Sequence, residues 1–327
     1  MRKVLVTGAT GFVGRQCCRS LSELGHAVII VVRDTHCGRN LLDLPHQKHL
    51  IIGDIGPTTA WNGILEGIEV VVHLAARVHV MREKAASPLT EFRRVNSLGT
   101  EHLARSAARA GVQRFVYLST IKVNGETTVK RPFTEQDRPA PCDPYAVSKW
   151  EAEQALQRIS LETGLEVVVI RLPLVYGPGV RGNFLRLVQL ISGGVPLPFG
   201  SIKNSRSLLG LTNLVDLIST CVVHHAAANQ TFLVSDREPL STPALIAHIA
   251  AALQRSARLL PFPPKILQLA GSALRMKAEV ERFCNSLVVD SQKVCRVLRW
   301  SPPISIDEEM DKVAEWFRFK MSEQQSR

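Results

Sequence analysis

The stretch Thr7-Gly8-Ala9-Thr10-Gly11-Phe12-Val13-Gly14 constrains this chain more than any other. An apolar run at residues 3–6 precedes it and reads as a first strand. Residues 15–25 follow, with Cys17, Cys18, Leu21 and Leu24 at helical spacing. Three glycines therefore sit where a strand turns into a helix. A side chain at Gly8 or Gly11 would hold a pyrophosphate away from the backbone N–H groups that open the helix. Gly14 allows the helix to pack close against the strand. The spacing is G-x-x-G-x-x-G, and a triple glycine alone also marks ordinary turns. The strand before it, the helix after it and its place at the start of the chain make it a candidate dinucleotide loop.

Strands and helices alternate through the first half. Apolar runs at 27–32, 49–53, 69–74, 114–119 and 166–172 read as further strands, with helical stretches at 59–66, 88–110 and 143–164 between them. Near-continuous Val/Ile/Leu runs suit a parallel sheet covered on both faces, and right-handed crossovers make it doubly wound, with a ligand at the carboxyl ends of the strands. After residue 173 the prolines cluster (Pro173, Pro178, Pro196, Pro198). A helix at 183–193 follows, then a mixed segment with one strand at 231–234 and helices at 242–257, 265–277 and 306–321. The fold class is α/β: a Rossmann-type doubly wound parallel sheet with a smaller, mostly helical C-terminal domain. The expected division is a dinucleotide-binding domain at 1–172, with a returning segment near 207–235, and a substrate domain at 173–206 and 236–327.

At 327 residues the chain can bury a large core, and no apolar run reaches the ~18–20 residues of a membrane span. With no leader pattern at the N-terminus, the expected location is cytoplasmic. The seven cysteines form no C-x-x-C pair and suit reduced thiols. The ten histidines show no metal spacing; the His224-His225 neighbours read as a solvated helix end, and no metal is expected. The net charge of +11 is compatible with nucleic acid, an anionic membrane or an anionic small substrate. No basic run is interleaved with aromatics, so a nucleic-acid partner is not expected.

Tyr145-Ala146-Val147-Ser148-Lys149 opens a helix and puts Tyr145 and Lys149 on one face. An ammonium beside a phenol favours phenolate, which would make Tyr145 able to exchange a proton with an alcohol or ketone. Thr120, at the carboxyl end of the fifth strand, would bind the substrate oxygen that Tyr145 protonates. Y-x-x-x-K alone is a common structural pattern; these features in this order and topology are not.

As a set, these residues resemble the extended short-chain dehydrogenase/reductases of the NAD-dependent epimerase/dehydratase (UDP-glucose 4-epimerase-like) family. Five further segments carry the likeness: Gly53-Asp54-Ile55; His73-Leu74-Ala75-Ala76; Asn96 in V-N-S-L-G-T; Arg171 with Val175-Tyr176-Gly177-Pro178-Gly179; and Asp290 with Leu298-Arg299-Trp300-Ser301-Pro302. The resemblance implies catalytic roles for Thr120, Tyr145 and Lys149. It implies a cofactor site of Gly8, Thr10, Gly11, Phe12, Val13, Gly14, Arg33, Asp54, Ile55, Leu74, Ala75 and Ala76, with Tyr145 and Lys149. It implies substrate contacts from Thr120 and Tyr145, and from Asn183 and Arg206 on a diphosphate, unless these last two are surface polar residues. Lys122 and Asn124 either face the substrate or fill a loop.

Departures from the family pattern sharpen the expectation. The second strand ends in Val32-Arg33 rather than an acid, which favours NADP(H) with Arg33 on a 2′-phosphate; Asp34, one place later, keeps NAD(H) open. Ile121-Lys122 replaces the acid pair of the 4,6-dehydratases, so dehydration is not expected. Leu174 stands where many relatives carry Asn. The expected activity is hydride transfer at C4 of a UDP-linked hexose. Most similar are the UDP-N-acetylquinovosamine-type 4-ketoreductases of bacterial O-antigen synthesis, on segments 119–126 and 226–235. Epimerisation of UDP-glucose or UDP-GlcNAc at C4 uses the same residues. Rival readings are a reductase of non-sugar carbonyls and a non-catalytic dinucleotide-binding protein. The resemblance also implies a homodimer through helices 88–110 and 143–164.

Overall fold

A computed structural model describes residues 1–34, 47–78, 87–273 and 277–325. The strands are β1 (Lys3–Thr7), β2 (Ala27–Val32), β3 (Gln47–Ile51), β4 (Val70–His73), β5 (Arg114–Thr120), β6 (Glu166–Leu172), β7 (Leu174–Tyr176), β8 (Leu208–Gly210) and β9 (Gln230–Leu233). Seven form one sheet in the order β3-β2-β1-β4-β5-β6-β9, and every pairing is parallel. The order reverses between β1 and β4, so their carboxyl ends flank the crevice where such sheets bind ligands. β3 starts two residues earlier than its apolar run suggests.

The helices are α1 (Phe12–Glu23), α2 (Pro88–Phe92), α3 (Gly99–Arg109), α4 (Pro144–Thr163), α5 (Gly182–Ser192), α6 (Leu211–Val223), α7 (Thr242–Ala252), α8 (Pro264–Ala273), α9 (Lys277–Cys284), α10 (Gln292–Leu298) and α11 (Ile306–Gln325). A π-helical turn, Arg93–Leu98, joins α2 to α3. One face of the sheet is covered by α1, α6 and α10 through Cys18, Leu21, Leu214, Ile218 and Leu298. The other is covered by α3 and α4 through Leu103, Ala107, Leu156 and Ile159. A separate apolar cluster joins α5, α7 and α11 through Phe184, Leu187, Ile246, Ile249, Val313 and Phe317.

Three expectations are corrected. Residues 59–66 are turns, not a helix: the Thr59 hydroxyl donates to the carbonyls of Asp54 and Gly56, Ile64 N–H donates back only three residues to Trp61, and Gly63 is left-handed at φ +72°. Trp61, Leu65 and Ile68 are nonetheless buried, which is why their spacing mimics a helix. The mixed segment before β9 contains α6. The C-terminal part is mostly helical, as expected, and β7 and β8 pair as a small second sheet. The stretch expected as one helix at 265–277 lies partly outside the described residues; α8 ends at Ala273, and the 242–257 helix ends at Ala252.

The turn after β1 is fixed by close approach. Gly8 is left-handed at φ +71°, and a Cβ there would lie 2.6 Å from the Ala75 nitrogen beyond β4. A Cβ at Gly14 would lie 2.1 Å from the Gly8 carbonyl oxygen and 2.7 Å from Ala9 Cα. These neighbours are backbone and cannot rotate aside. Alanine at position 14 should therefore destabilise the protein by about 1–3 kcal/mol, as overpacking does, despite alanine's higher helix propensity. Denaturant unfolding of Gly14→Ala measures this, and an unchanged midpoint would contradict the packing described.

Candidate active site

The crevice between β1 and β4 is organised by a buried histidine. The Thr7 hydroxyl accepts from Ala75 N–H (3.2 Å) and lies 2.7 Å from His73 Nδ1, while His73 Nε2 lies 2.9 Å from the Thr100 hydroxyl. Burial, with Lys149 nearby, pushes the His73 pKa down to about 3, so the ring is neutral and bonds the Thr7 hydroxyl through Nδ1 and the Thr100 hydroxyl through Nε2. This chain of bonds locks the Leu74-Ala75-Ala76 segment beside the glycine turn, and all three residues are half-buried. Across the turn, Gly11 caps α1 and is exposed, with Phe12 and Val13 half-buried and the Thr10 carbonyl accepting from Arg15 Nε. A helix leaves its first N–H groups unbonded, so this end presents donors to an anion. The glycine cradle, the helix start and the switch-point position fit a dinucleotide.

Buried Asn96 in the π turn ties the crevice wall together. Its carbonyl accepts from Arg77 N–H (2.7 Å), and its amide donates to the Arg77 carbonyl and to the Ser148 hydroxyl. Ser148 in turn donates to the Tyr145 carbonyl (2.7 Å). At the far edge, Arg33 Nε meets Asp54 Oδ1 at 2.8 Å, and both side chains are about two-thirds exposed. Next to Asp54, Ile55 packs where α3 begins: a Cβ at Gly99 would lie 3.1 Å from its Cγ2.

Tyr145 and Lys149 sit in the first turns of α4. Asp143 caps that helix by accepting from Ala146 N–H (2.6 Å), and Pro144 follows at the first helical position. Lys149 is buried, with Nζ 4.0 Å from the centre of the Tyr117 ring, which stacks on His73. Phe92 meets the Tyr145 ring edge-on at 6.1 Å. Thr120 ends β5 and is joined to α4 on both sides. Ser119 before it donates to Glu153, and Lys122 after it pairs with Asp143. The Thr120 hydroxyl accepts from Lys122 N–H (3.3 Å).

The electrostatics reverse one expectation. Burial, then the Asp143 charge, raises the Tyr145 pKa above its ordinary value, and burial lowers the Lys149 pKa to about 7. Desolvation thus outweighs any lowering of the phenol by the ammonium, and Glu153 offsets only part of the effect on Lys149.

The substrate candidates separate. Lys122 is engaged by Asp143 and Glu126. Asn124 is buried; its carbonyl accepts from Arg171 and its amide donates to the Thr134 carbonyl, so its groups serve the loop. Asn183 is half-buried in the first turn of α5. Arg206 is half-buried, donates to the Asn285 carbonyl, and has its pKa lowered by burial and by neighbouring Arg282. Two guanidiniums this close suit an anion, and the sequence reading missed Arg282: on α9 it looks like any exposed helix residue, and only the fold brings it to Arg206. Glu153 was missed for the same reason. It pairs with Arg171 at 2.7 Å, and both are buried.

The Lys149 charge carries a stability cost. Below pH 7 Lys149 is charged in both the folded and unfolded protein and the burial penalty is full. As pH rises from 7 toward 10.5 the folded state holds it neutral, and the penalty fades. Cofactor-free Lys149→Met should therefore be more stable than the parent by about 1–4 kcal/mol below pH 7, with the gap closing toward pH 10. Thermal melts across that range test the sign.

Relatives agree with this architecture. A "UDP-glucose 4-epimerase" of Vibrio cholerae is 42% identical over 318 residues, covering 97% of this chain and 95% of the relative. The solved UDP-N-acetylglucosamine 4-epimerase of Bacillus cereus superposes with a TM-score of 0.78 at 21% identity, over 97% of this chain and 100% of that one. The Bacillus cereus UDP-glucuronic acid 4-epimerase in complex with NAD gives 0.77 at 20%, over 97% and 96%. Residues 4–235, which hold the glycine turn, Thr120, Tyr145 and Lys149, match the NAD dependent epimerase/dehydratase family. The chain belongs to that enzyme family.

Proposed function

We propose that this protein transfers hydride at C4 of a UDP-linked hexose, with 4-epimerisation as its reaction. The observation that carries the reading is the buried Lys149, whose ammonium lies 4.0 Å from the centre of the Tyr117 ring of β5, itself stacked on His73 at the end of β4, one helical turn from Tyr145. The 42% identity to a UDP-glucose 4-epimerase supports the choice of reaction.

On this reading the backbone of Gly8, Gly11 and the first turn of α1 holds the cofactor pyrophosphate, the Leu74–Ala76 segment borders it, and Lys149 meets the nicotinamide ribose. When bound, the dinucleotide accepts hydride from C4 and returns it. Tyr145 takes the proton of the C4 hydroxyl and gives it back to the same oxygen, and Thr120 orients that oxygen. Burial raises the proton affinity of Tyr145, which favours the return step, where it is the acid, and opposes the first, where it must enter as phenolate to take the C4 hydroxyl proton. Lys149 beside it would lower that affinity only while charged, and in the cofactor-free protein it loses its proton above about pH 7, so the bound cofactor would have to hold that charge for turnover above pH 7. Residues 173–206 and 236–327 hold the sugar nucleotide, with Arg206, Arg282 and Asn183 on the diphosphate. The rod of α2 and α3 and helix α4, pinned by Arg93–Glu151 and Arg105–Glu162, is the proposed homodimer face.

The cofactor is taken as NAD, as in the Bacillus cereus complex. Arg33 is paired to Asp54, and a 2′-phosphate would have to displace that carboxylate. Arg33 also favours a second reading, net reduction of a UDP-4-keto-6-deoxy sugar with NADPH. One assay separates them. The epimerase interconverts UDP-glucose and UDP-galactose, or the N-acetyl pair, with no net change in cofactor absorbance, whereas the reductase consumes NADPH stoichiometrically with the keto sugar. Tyr145→Phe should lower turnover by ~10²–10⁴ while UDP binding, read as a thermal shift, is kept. Unchanged turnover would remove Tyr145 from the chemistry.

A further inference from the structure

Capping α4 needs one oxygen, and Asp143 supplies it through Oδ1 to Ala146 N–H. Asn or Ser caps as well as Asp, so the negative charge is surplus to that task. Its second oxygen, Oδ2, takes the Lys122 ammonium, and Lys122 also meets Glu126 at 2.9 Å. Lys122 stands two residues after Thr120, and Asp143 two residues before Tyr145. The side chains of the pair are only 20% and 29% exposed, so water screens them incompletely.

We infer that the Lys122–Asp143 ion pair is a positioning device that holds the Thr120 strand end against the Tyr145 helix and tunes how tightly Tyr145 keeps its proton. This rests on the reading above, in which Tyr145 moves the proton. Asp143 is the charge that raises the Tyr145 pKa beyond the effect of burial, and Lys122 is the cation that offsets Asp143. The other charged or titratable groups around Tyr145 among the described residues are Lys149 on α4, Tyr117 on β5, Glu126 through Lys122, and Arg77, which lies 5.8 Å from the Phe92 ring. Only Lys122 and Asp143 connect the two chain segments that carry Thr120 and Tyr145 by a direct charge contact in this set.

A strap and a tuner predict different outcomes. Asp143→Asn keeps the cap and removes the charge, so Tyr145 should ionise at lower pH, and the acid limb of the kcat profile should move down by about half a unit or more. Lys122→Met leaves Asp143 unbalanced and should move the same limb up. The double variant should follow Asp143→Asn, because Lys122 acts through Asp143. The measurements are kcat against pH with NAD and UDP-glucose, and the ultraviolet tyrosinate difference titration of each variant with NAD bound, using Tyr145→Phe as the blank. Shifts of the same sign in both single variants, or equal losses of kcat with no shift, would overturn the tuning role. A parent protein that turns over no UDP-sugar would sink the functional reading instead, and the tyrosinate titration would still decide the role of the ion pair.

Discussion

The proposed catalytic face depends on a buried ion pair that touches no proposed ligand. Glu153 and Arg171 lie 2.7 Å apart with side chains 5% exposed. Burying two charges costs several kcal/mol unless every remaining donor and acceptor is satisfied. Here they are held by named partners: Glu153 also accepts from Ser119, and Arg171 also donates to Asn124. Ser119 precedes Thr120 on β5, Glu153 follows Lys149 by one turn on α4, and Arg171 lies on β6. One network thus fixes α4 to β5 and β6 beside the segments that carry Thr120, Tyr145 and Lys149. Its worth is in specificity of arrangement, since an apolar trio would fill the same space without dictating which residue faces which.

That location also governs the site's electrostatics. Glu153 is the nearest anion acting on Lys149, yet its carboxylate is already committed to Arg171 and Ser119, and it offsets only part of the desolvation. The Lys149 ammonium is left to the Tyr117 ring, a weaker partner than a carboxylate. A lysine so placed is poorly stabilised before ligands arrive. Hydroxyls of a bound ribose would supply the missing hydrogen bonds, which turns a folding cost into binding energy.

Legibility followed from how local each signal is. Strands buried on both faces announce themselves as unbroken Val and Ile, and β2 and β6 fall where those runs do. The glycine turn was readable because close approach leaves no substitute: Gly8 and Gly14 abut backbone. The start of α4 falls where its helical stretch was expected, and the structure supplies the cause: Asp143 caps it and Pro144 takes the first helical position. Signals failed where tertiary context decides. Trp61 and Leu65 have helical spacing, but the chain turns there: the Thr59 hydroxyl bonds back to the Asp54 and Gly56 carbonyls just before the stretch, and Gly63 within it is left-handed. Helix α6 does carry a polar stripe at helical spacing, Thr212, Asp216 and Thr220, but its other sides are buried beside α1 against the sheet, so apolar residues dominate the stretch. Lys122 and Asn124 looked like ligand contacts because sequence cannot show that Asp143 and Arg171 have already taken them.

The same logic bears on what separates an epimerase from a reductase in this family. Both reactions ask the same of Thr120, Tyr145 and Lys149, so the strand ends cannot decide between them. On the proposed reading, what differs is whether the keto sugar turns over before hydride returns. That requires a grip on the diphosphate strong enough to retain the substrate and a sugar pocket weak enough to release its face. On that reading two neighbouring guanidiniums, Arg206 and Arg282, would meet the first demand. Leu174, at the position where the resemblance implies an Asn, would on the same reading serve the second, because a leucine offers the sugar hydroxyls no hydrogen bond to hold one face in place.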